Sequence, residues 1–326
     1  MTYGDLPKPF FVLAPMDDVT DTVFRQIVAD CAPPDLFFTE FVNVDGLQSP
    51  GRPKLLKKLR FTPKDTPLVA QLWGLKPENF QKTAEQIADG SLARELGLPE
   101  GVNFAGIDLN MGCPAKSEVQ NGACSALILN RDLAGEIIRA TQAGAGELPV
   151  SVKTRLGFYE VDLTWHEFLF SHKLNMLTVH GRTRREMSKV PAHWDVIEQI
   201  RELRDMLAPD TMLVGNGDAA DHAHGLELAE RHGLDGIMIG RGVFSDPFVF
   251  SKKSPWADYT REQRIELYTK HVKLFAKTWQ QGERPVHTLN KFCKIYISDF
   301  DGAKELRERL MACSSTDELL KILADT

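Results

Sequence analysis

The chain has 326 residues, 43% of them hydrophobic, with five cysteines and a formal net charge of −6. Its apolar runs, such as "FFVLAPM" and "IMIG", fall short of the roughly 18 residues of a membrane span, and the start lacks the basic-then-apolar pattern of a signal peptide. The cysteines show no CxxC or Cys/His metal spacing, so no metal site is expected, and dispersed thiols in a large chain read as reduced and cytoplasmic.

In chain order, "FFVLAP" from Phe10 ends on Ala14, Pro15 and Met16 and leads into the helical pattern "TDTVFRQIVAD". "LFFTEF" from Leu36 ends on Thr39-Glu40, and the "SPGRPKLLKKL" after it is broken by prolines. "PLVAQLW" from Pro67 ends on Gln71 before "PENFQKTAEQIADG"; "GIDLN" from Gly106 ends on Asn110, with "DLAGEIIRATQAG" downstream. "PVSVKTR" from Pro149 ends on Lys153 and Arg155; "MLTVHGR" from Met176 ends on His180 and Arg182 before "WDVIEQIRELRDML". "MLVGNGD" from Met212 ends on Asn216, Gly217 and Asp218 before "HAHGLELAERHG", and "GIMIGRG" from Gly236 ends on Gly240, Arg241 and Gly242.

Apolar strands alternating with amphipathic helices mean βαβ units and a parallel sheet. The count of eight predicts an α/β fold, a closed (β/α)8 TIM barrel over residues 1–250. A doubly wound sheet would usually bring fewer strands and a GxGxxG turn, which is absent. After Phe250 the β pattern stops. "SKKSPWADYT" reads as a linker, and "TREQRIELYTKHVKLFAKTWQQ", "TLNKFCKIYISDF", "AKELRERLMAC" and "STDELLKILAD" are helical in period, with Ser315 or Thr316 as an N-cap. A small all-helical domain is therefore expected over 251–326. Its basic excess lies in Arg261–Lys294, where eight Lys and Arg face three Glu. Charge alone makes that a solvated helical face.

Every strand stops on polar or turn-forming residues, and in such barrels the active site lies at the C-terminal strand ends. "GNGD" and "GRG" supply close-approach backbone N–H groups and Arg241 a fork-shaped cation, so a phosphorylated ligand is expected there. Gln71, Asn110 and His180 offer the directional hydrogen bonds a planar heterocycle needs. Lys153 fits an ion pair or a Schiff base. Asp218, His222 and His224 read as a solvated loop. Cys113, framed by Gly112 and Pro114, reads as functional. Cys124 reads as packing.

"LAPMDDVTD", "TEFV", "VAQLWG", "GIDLNMGCPAK", "SVKTRLG", "VHGRTR", "NGD" and "IGRG", in this order, resemble the tRNA-dihydrouridine synthase family over nearly the whole chain. The resemblance implies an FMN barrel followed by a helical tRNA-binding domain, in a monomeric cytoplasmic enzyme. Reduced flavin would pass a hydride to C6 of a uridine in tRNA, most simply in the D-loop, and NADPH would re-reduce it. Pro15, Met16, Gln71, Lys153, His180, Asn216, Gly217, Asp218, Gly240 and Arg241 match flavin positions. Asn110, Lys153 and Arg155 match residues near the target uracil, Arg182 is grouped with them from its strand end, and Cys113 matches the proton donor. A thiol in a dry pocket is expected to stay protonated there. The basic stretch then holds phosphates, with Lys270, Lys273 and Lys277 expected to meet them. Three departures bear on substrate positioning: Cys124 where a glycine is common, Ser188 and Val190 where a tyrosine and a glycine are, and Ala192-His193-Trp194 for Ala-Asp-Trp. The rival readings are an FMN barrel of dihydroorotate-dehydrogenase type acting on a free pyrimidine, an aldolase-like barrel using Lys153, and a non-catalytic RNA-binding module.

Overall fold

The computed structural model describes residues 3–326. Nine short parallel strands form one sheet: β1 (Phe10–Leu13), β2 (Phe37–Phe38), β3 (Val42–Asn43), β4 (Leu68–Trp73), β5 (Gly106–Met111), β6 (Val150–Arg155), β7 (Met176–His180), β8 (Met212–Asn216) and β9 (Gly236–Ile239). Their order is β1-β9-β8-β7-β6-β5-β4-β2, with β3 also on β4. A bridge between Val12 and Leu36 brings β1 back to β2 and completes the barrel. The second predicted strand is thus split in two: Thr39 still donates its N–H to the Val69 carbonyl of β4 at 3.0 Å, but at Glu40–Phe41 the chain leaves β4, with Glu40 turned to partners outside the sheet, and it rejoins at β3.

Side chains alternate across each strand. One set, including Leu13, Ala70, Leu109, Val152, Val179, Leu213 and Ile239, joins the large core under the helices. The alternate set fills the barrel: Phe10, Val12, Leu36, Phe38, Val69, Met176, Val214 and Met238 pack together, with Tyr3 and Leu6 plugging the N-terminal end. Gly106 permits that plug, since a Cβ there would sit 2.3 Å from the Tyr3 hydroxyl. The same inward phase carries Gln71, Asp108, Asn110, Lys153, Arg155, His180 and Asn216. The register sets Gln71 beside Asp108, Asn110 beside Lys153, and His180 between Arg155 and Asn216.

Helices α1 (Thr22–Cys31), α2 (Pro77–Ala88), α3 (Arg131–Ala145), α4 (Leu163–Phe170), α5 (Trp194–Leu207) and α6 (His222–His232) cover the outside. After β2–β3 only short turns form among the described residues, at Val44–Leu47, Arg52–Leu55, Leu56–Lys58 and Pro63–Asp65, as the prolines imply. Between β9 and the next helix there are two 3-10 turns among the described residues, Arg241–Phe244 and Trp256–Asp258. The C-terminal helices α7 (Arg261–Thr278), α8 (Asn290–Tyr296), α9 (Ala303–Met311) and α10 (Thr316–Ala324) follow. Ser315 caps α10 by accepting from the Glu318 N–H.

These helices pack against α1. Phe24 stacks on Phe292 at 4.8 Å and lies 6.0 Å from His271 and 6.3 Å from Phe244. Val23, Phe24, Val28, Tyr268, Val272 and Phe292 belong to one apolar cluster, so the core runs without a break from barrel to helices. Among the described residues no helix is long and apolar enough to cross a membrane.

Candidate functional site at the barrel mouth

A cavity of about 590 Å³ opens at the C-terminal strand ends, within the size range of small-molecule sites. Pro15, Met16, Lys153, Arg155, His180, Arg182, Asn216, Gly217, Asp218, Gly240 and Arg241, all singled out in the sequence, line it; so do Pro114, Met187 and Ser188.

The remaining three, Gln71, Asn110 and Cys113, stand beside the cavity wall in one relay. Ser151 Oγ donates to Asp108 at 2.6 Å, Gln71 Nε2 donates to Asp108 at 2.8 Å, and Asn110 Nδ2 donates to Gln71 Oε1 at 3.2 Å. Asn110 Oδ1 then accepts from the N–H groups of Gly112, at 3.1 Å, and Cys113, at 2.9 Å. The asparagine that ends the apolar run is thus an Asx turn, satisfying the first N–H groups past the strand and fixing the cysteine loop. Arg155 braces the same loop. Its Nε donates to the Gly112 carbonyl at 2.8 Å and its Nη1 to the carbonyls of Thr183 and Met187, both at 3.0 Å.

The two cysteines are linked to each other. Hydrogen bonding from Cys124 pulls the Cys113 thiol below its ordinary value, against the effect of burial. The same bond, with burial, pushes Cys124 far up. A thiol donating to a neighbouring sulfur favours thiolate on that neighbour, which works against the effect of the dry pocket on Cys113. Cys124 is fully buried, as expected of a packing residue, and it also bonds Cys113. Its φ is 54°, a left-handed conformation that costs an L-residue about 1–2 kcal/mol.

Charge at the mouth is mostly positive. Burial, then the Arg155 charge, lowers Lys153 to about 8. Burial raises Asp108 to about 6 despite its hydrogen bonds. Burial, with the Arg155, Lys153, Arg182 and Arg241 charges, holds His180 well below its ordinary value, so the ring is neutral. Its Nε2 lies 3.2 Å from Arg182 Nη1, which can only donate, so Nε2 accepts and Nδ1 carries the proton. Arg182 also donates to Asp218 and, from Nε, to the Val190 carbonyl at 2.6 Å. It therefore holds the 183–193 segment, as does Glu186, which accepts from the Thr183 N–H at 2.8 Å and lies 3.0 Å from His193.

The residues after β8 and β9 fit a phosphorylated planar group. Gly217 has φ 130°, and a Cβ there would lie 2.9 Å from that of Ala192; only glycine leaves the space. Asp218 follows at φ 55°, and left-handed turns of this kind can gather successive N–H groups into an anion-binding concavity. Arg241 is exposed, held among the described residues only by Asp218 at 3.3 Å, and placed to swing onto an anion. Of the residues that the sequence reading did not single out, Asp108 could have been noticed as a lone acid in an inward strand position. The left-handed Met187 (φ 58°) carries no sequence signal, whereas the left-handed backbone at Cys124 agrees with a position where glycine is common.

The family model for dihydrouridine synthase (Dus) matches residues 12–326. The chain is 46% identical over 324 residues to a probable tRNA-dihydrouridine synthase of Staphylococcus aureus (strain COL), covering 98% of this chain and 94% of that protein. It is 46% identical over 328 residues to probable tRNA-dihydrouridine synthase 2 of Bacillus subtilis (strain 168), covering 99% and 95%. Among solved structures, morphinone reductase in complex with tetrahydroNAD aligns with a TM-score of 0.49 at 13% identity, over 76% of this chain and 87% of that one. With a family match running from the first strand to the last helix, over a barrel mouth that gathers the motifs in family order, the chain belongs to the dihydrouridine synthase family.

Proposed function

We propose that this protein reduces the C5–C6 double bond of a uridine in tRNA to dihydrouridine, using FMN held at the barrel mouth and NADPH as the reductant, as a cytoplasmic monomer. The observation that carries the reading is the shared cavity: the glycine-rich ends of β8 and β9 and the Cys113 loop border one space.

Reduced flavin, when bound, supplies the hydride that uridine accepts at C6. Asn216, Gly217, Gly240 and Arg241 suit its phosphate end, and Lys153 and His180 Nδ1–H suit the ring edge, where a cation and a neutral donor stabilise negative charge. The chain's own chemistry is the proton. Hydride at C6 leaves carbanion character at C5, and the Cys113 S–H bond breaks as the new C–H bond forms at C5. The sulfur is left as thiolate, which the Cys124 hydrogen bond stabilises, as do the Lys153 and Arg155 charges. Asn110 and Arg155 keep the loop in place while this happens. A uridine inside folded tRNA must first leave its stack, at a cost of a few kcal/mol.

The helical region supplies a basic surface. Lys270 is tied to Asp30 at 2.7 Å, so of the three lysines singled out, Lys273 and Lys277 are the ones free to meet phosphates. The test is direct. Purified protein should be yellow and release FMN on denaturation, and pre-reduced enzyme should form dihydrouridine in unmodified tRNA but not turn over free uridine. A colourless protein that cannot be reconstituted, or reduction of free pyrimidine alone, would refute the reading.

A further inference from the structure

Two loops at the mouth carry a surface that the chemistry above does not use. After β6 the chain doubles back between Leu156 and Asp162, closed by the Asp162 N–H donating to the Leu156 carbonyl at 2.8 Å. Tyr159 stands within this turn. The segment after β7 runs alongside, its Arg184 N–H donating to Gly157 and its Arg185 N–H to Phe158, both at 2.9 Å. Among the described residues seven large apolar side chains are exposed, and three of them, Tyr159 at 55%, Val161 at 43% and Met187 at 36%, fall on these two loops. Met187 also lines the cavity, so the patch adjoins its rim.

The tyrosine is exposed but not loose. Its ring meets that of buried Phe158 edge-on, at 4.6 Å and 77°. The Arg184 guanidinium lies 5.4 Å from the Phe158 ring. Around it the charge is positive: Arg185 and Lys189 are exposed and have no ion-pair partner among the described residues. Asp162 is occupied by Arg131 at 2.8 Å, which leaves Glu160 as the free carboxylate of the turn.

We propose that Tyr159 is a stacking platform for a nucleobase next to the reacting uridine, with Arg185 and Lys189 taking the flanking phosphates. This rests on the reading of the protein as a tRNA-modifying enzyme. Extruding a uridine strips its neighbours of a stacking partner, and an aromatic face beside the pocket restores one. Stacking is indifferent to base identity, so the platform stabilises the opened strand without needing a fixed sequence. A ring held on its edge by Phe158 gives up little side-chain freedom when a base arrives.

The experiment uses full-length, flavin-loaded enzyme and an unmodified tRNA transcript, with Tyr159→Phe, Tyr159→Leu and Tyr159→Ala. Tyr159→Phe keeps the π face and should stay near wild type. Tyr159→Leu keeps apolar bulk without the face; it and Tyr159→Ala should lower kcat/KM for tRNA by roughly 5- to 150-fold. Flavin content and NADPH oxidation should not change. A double Arg185→Ala, Lys189→Ala variant should flatten the salt dependence of tRNA binding. Wild-type kcat/KM in Tyr159→Ala, or an equal loss in Tyr159→Phe, would overturn the platform while leaving the enzyme reading intact. A wild-type enzyme that forms no dihydrouridine at all would overturn both.

Discussion

A strand end, Gly112 and Pro114 frame Cys113, the proposed proton donor. What surrounds it was not legible, since the Cys124 contact depends on a left-handed residue eleven positions on. Cys113→Ala should keep FMN and still oxidise NADPH, yet lose about 10²–10⁴-fold in single-turnover tRNA reduction, the usual cost of removing a general acid. Wild-type rates in that variant would clear Cys113 of the role. Cys124 gives a second measurement. Its hydrogen bond holds Cys113 low, so Cys124→Gly should move the pH midpoint of Cys113 alkylation upward, which an unmoved midpoint would contradict. Glycine normally costs about 0.5–1 kcal/mol relative to alanine. At φ 54° the order should invert, and thermal melts should find Cys124→Gly more stable than Cys124→Ala.

At the scale of elements, all the strand runs and all four C-terminal helices were readable from apolar periodicity. The split of the second strand was not, because its cause lies 244 positions away in sequence. Arg284, between α7 and α8, is 4% exposed and reaches Glu40, Asp21 at 3.4 Å and Asp18 at 3.3 Å. Glu40 also accepts from the Asp18 N–H at 2.8 Å, and Lys291 donates to the Asp18 carbonyl at 2.8 Å. The helical arm therefore clamps the loop that carries Pro15 and Met16. Burial lifts Glu40 from 4.5 to about 7, against the pull of Arg284. A raised folded-state value means the native protein binds the extra proton. This contribution is fully present below pH 4.5 and is lost as pH rises through about 7. Glu40→Gln cannot ionise, so its stability should fall less than that of wild type between those limits. Parallel denaturation curves at pH 5 and pH 7.5 for the two proteins would contradict the assignment.

For the molecule as a whole, composition and period gave the barrel-plus-helices plan, and the break in β pattern after Phe250 was real. The continuity of the core across that point could not be seen, because periodicity reports which face of a helix is apolar and not what covers it. Among the described residues two 3-10 turns and no α-helix lie between β9 and α7, and α7 and α8 pack on α1. The full chain should therefore unfold in one cooperative calorimetric transition. Two separated transitions, or a stable flavin-binding fragment ending at residue 250, would show that barrel and helices fold apart.

The Arg284 clamp also sets an order of events during synthesis. The β1 strand emerges early, but it pairs with β9, and the loop behind it is gripped by a residue some 270 positions downstream. At about 5–20 residues per second, that interval lasts about 15–50 s on the ribosome. Throughout it, Glu40 and Asp21 lack the Arg284 guanidinium, and the Pro15–Met16 loop lacks that brace. Loading of the proposed flavin should therefore wait until synthesis has passed residue 284, and a ribosome stalled before it should carry a barrel that retains flavin poorly.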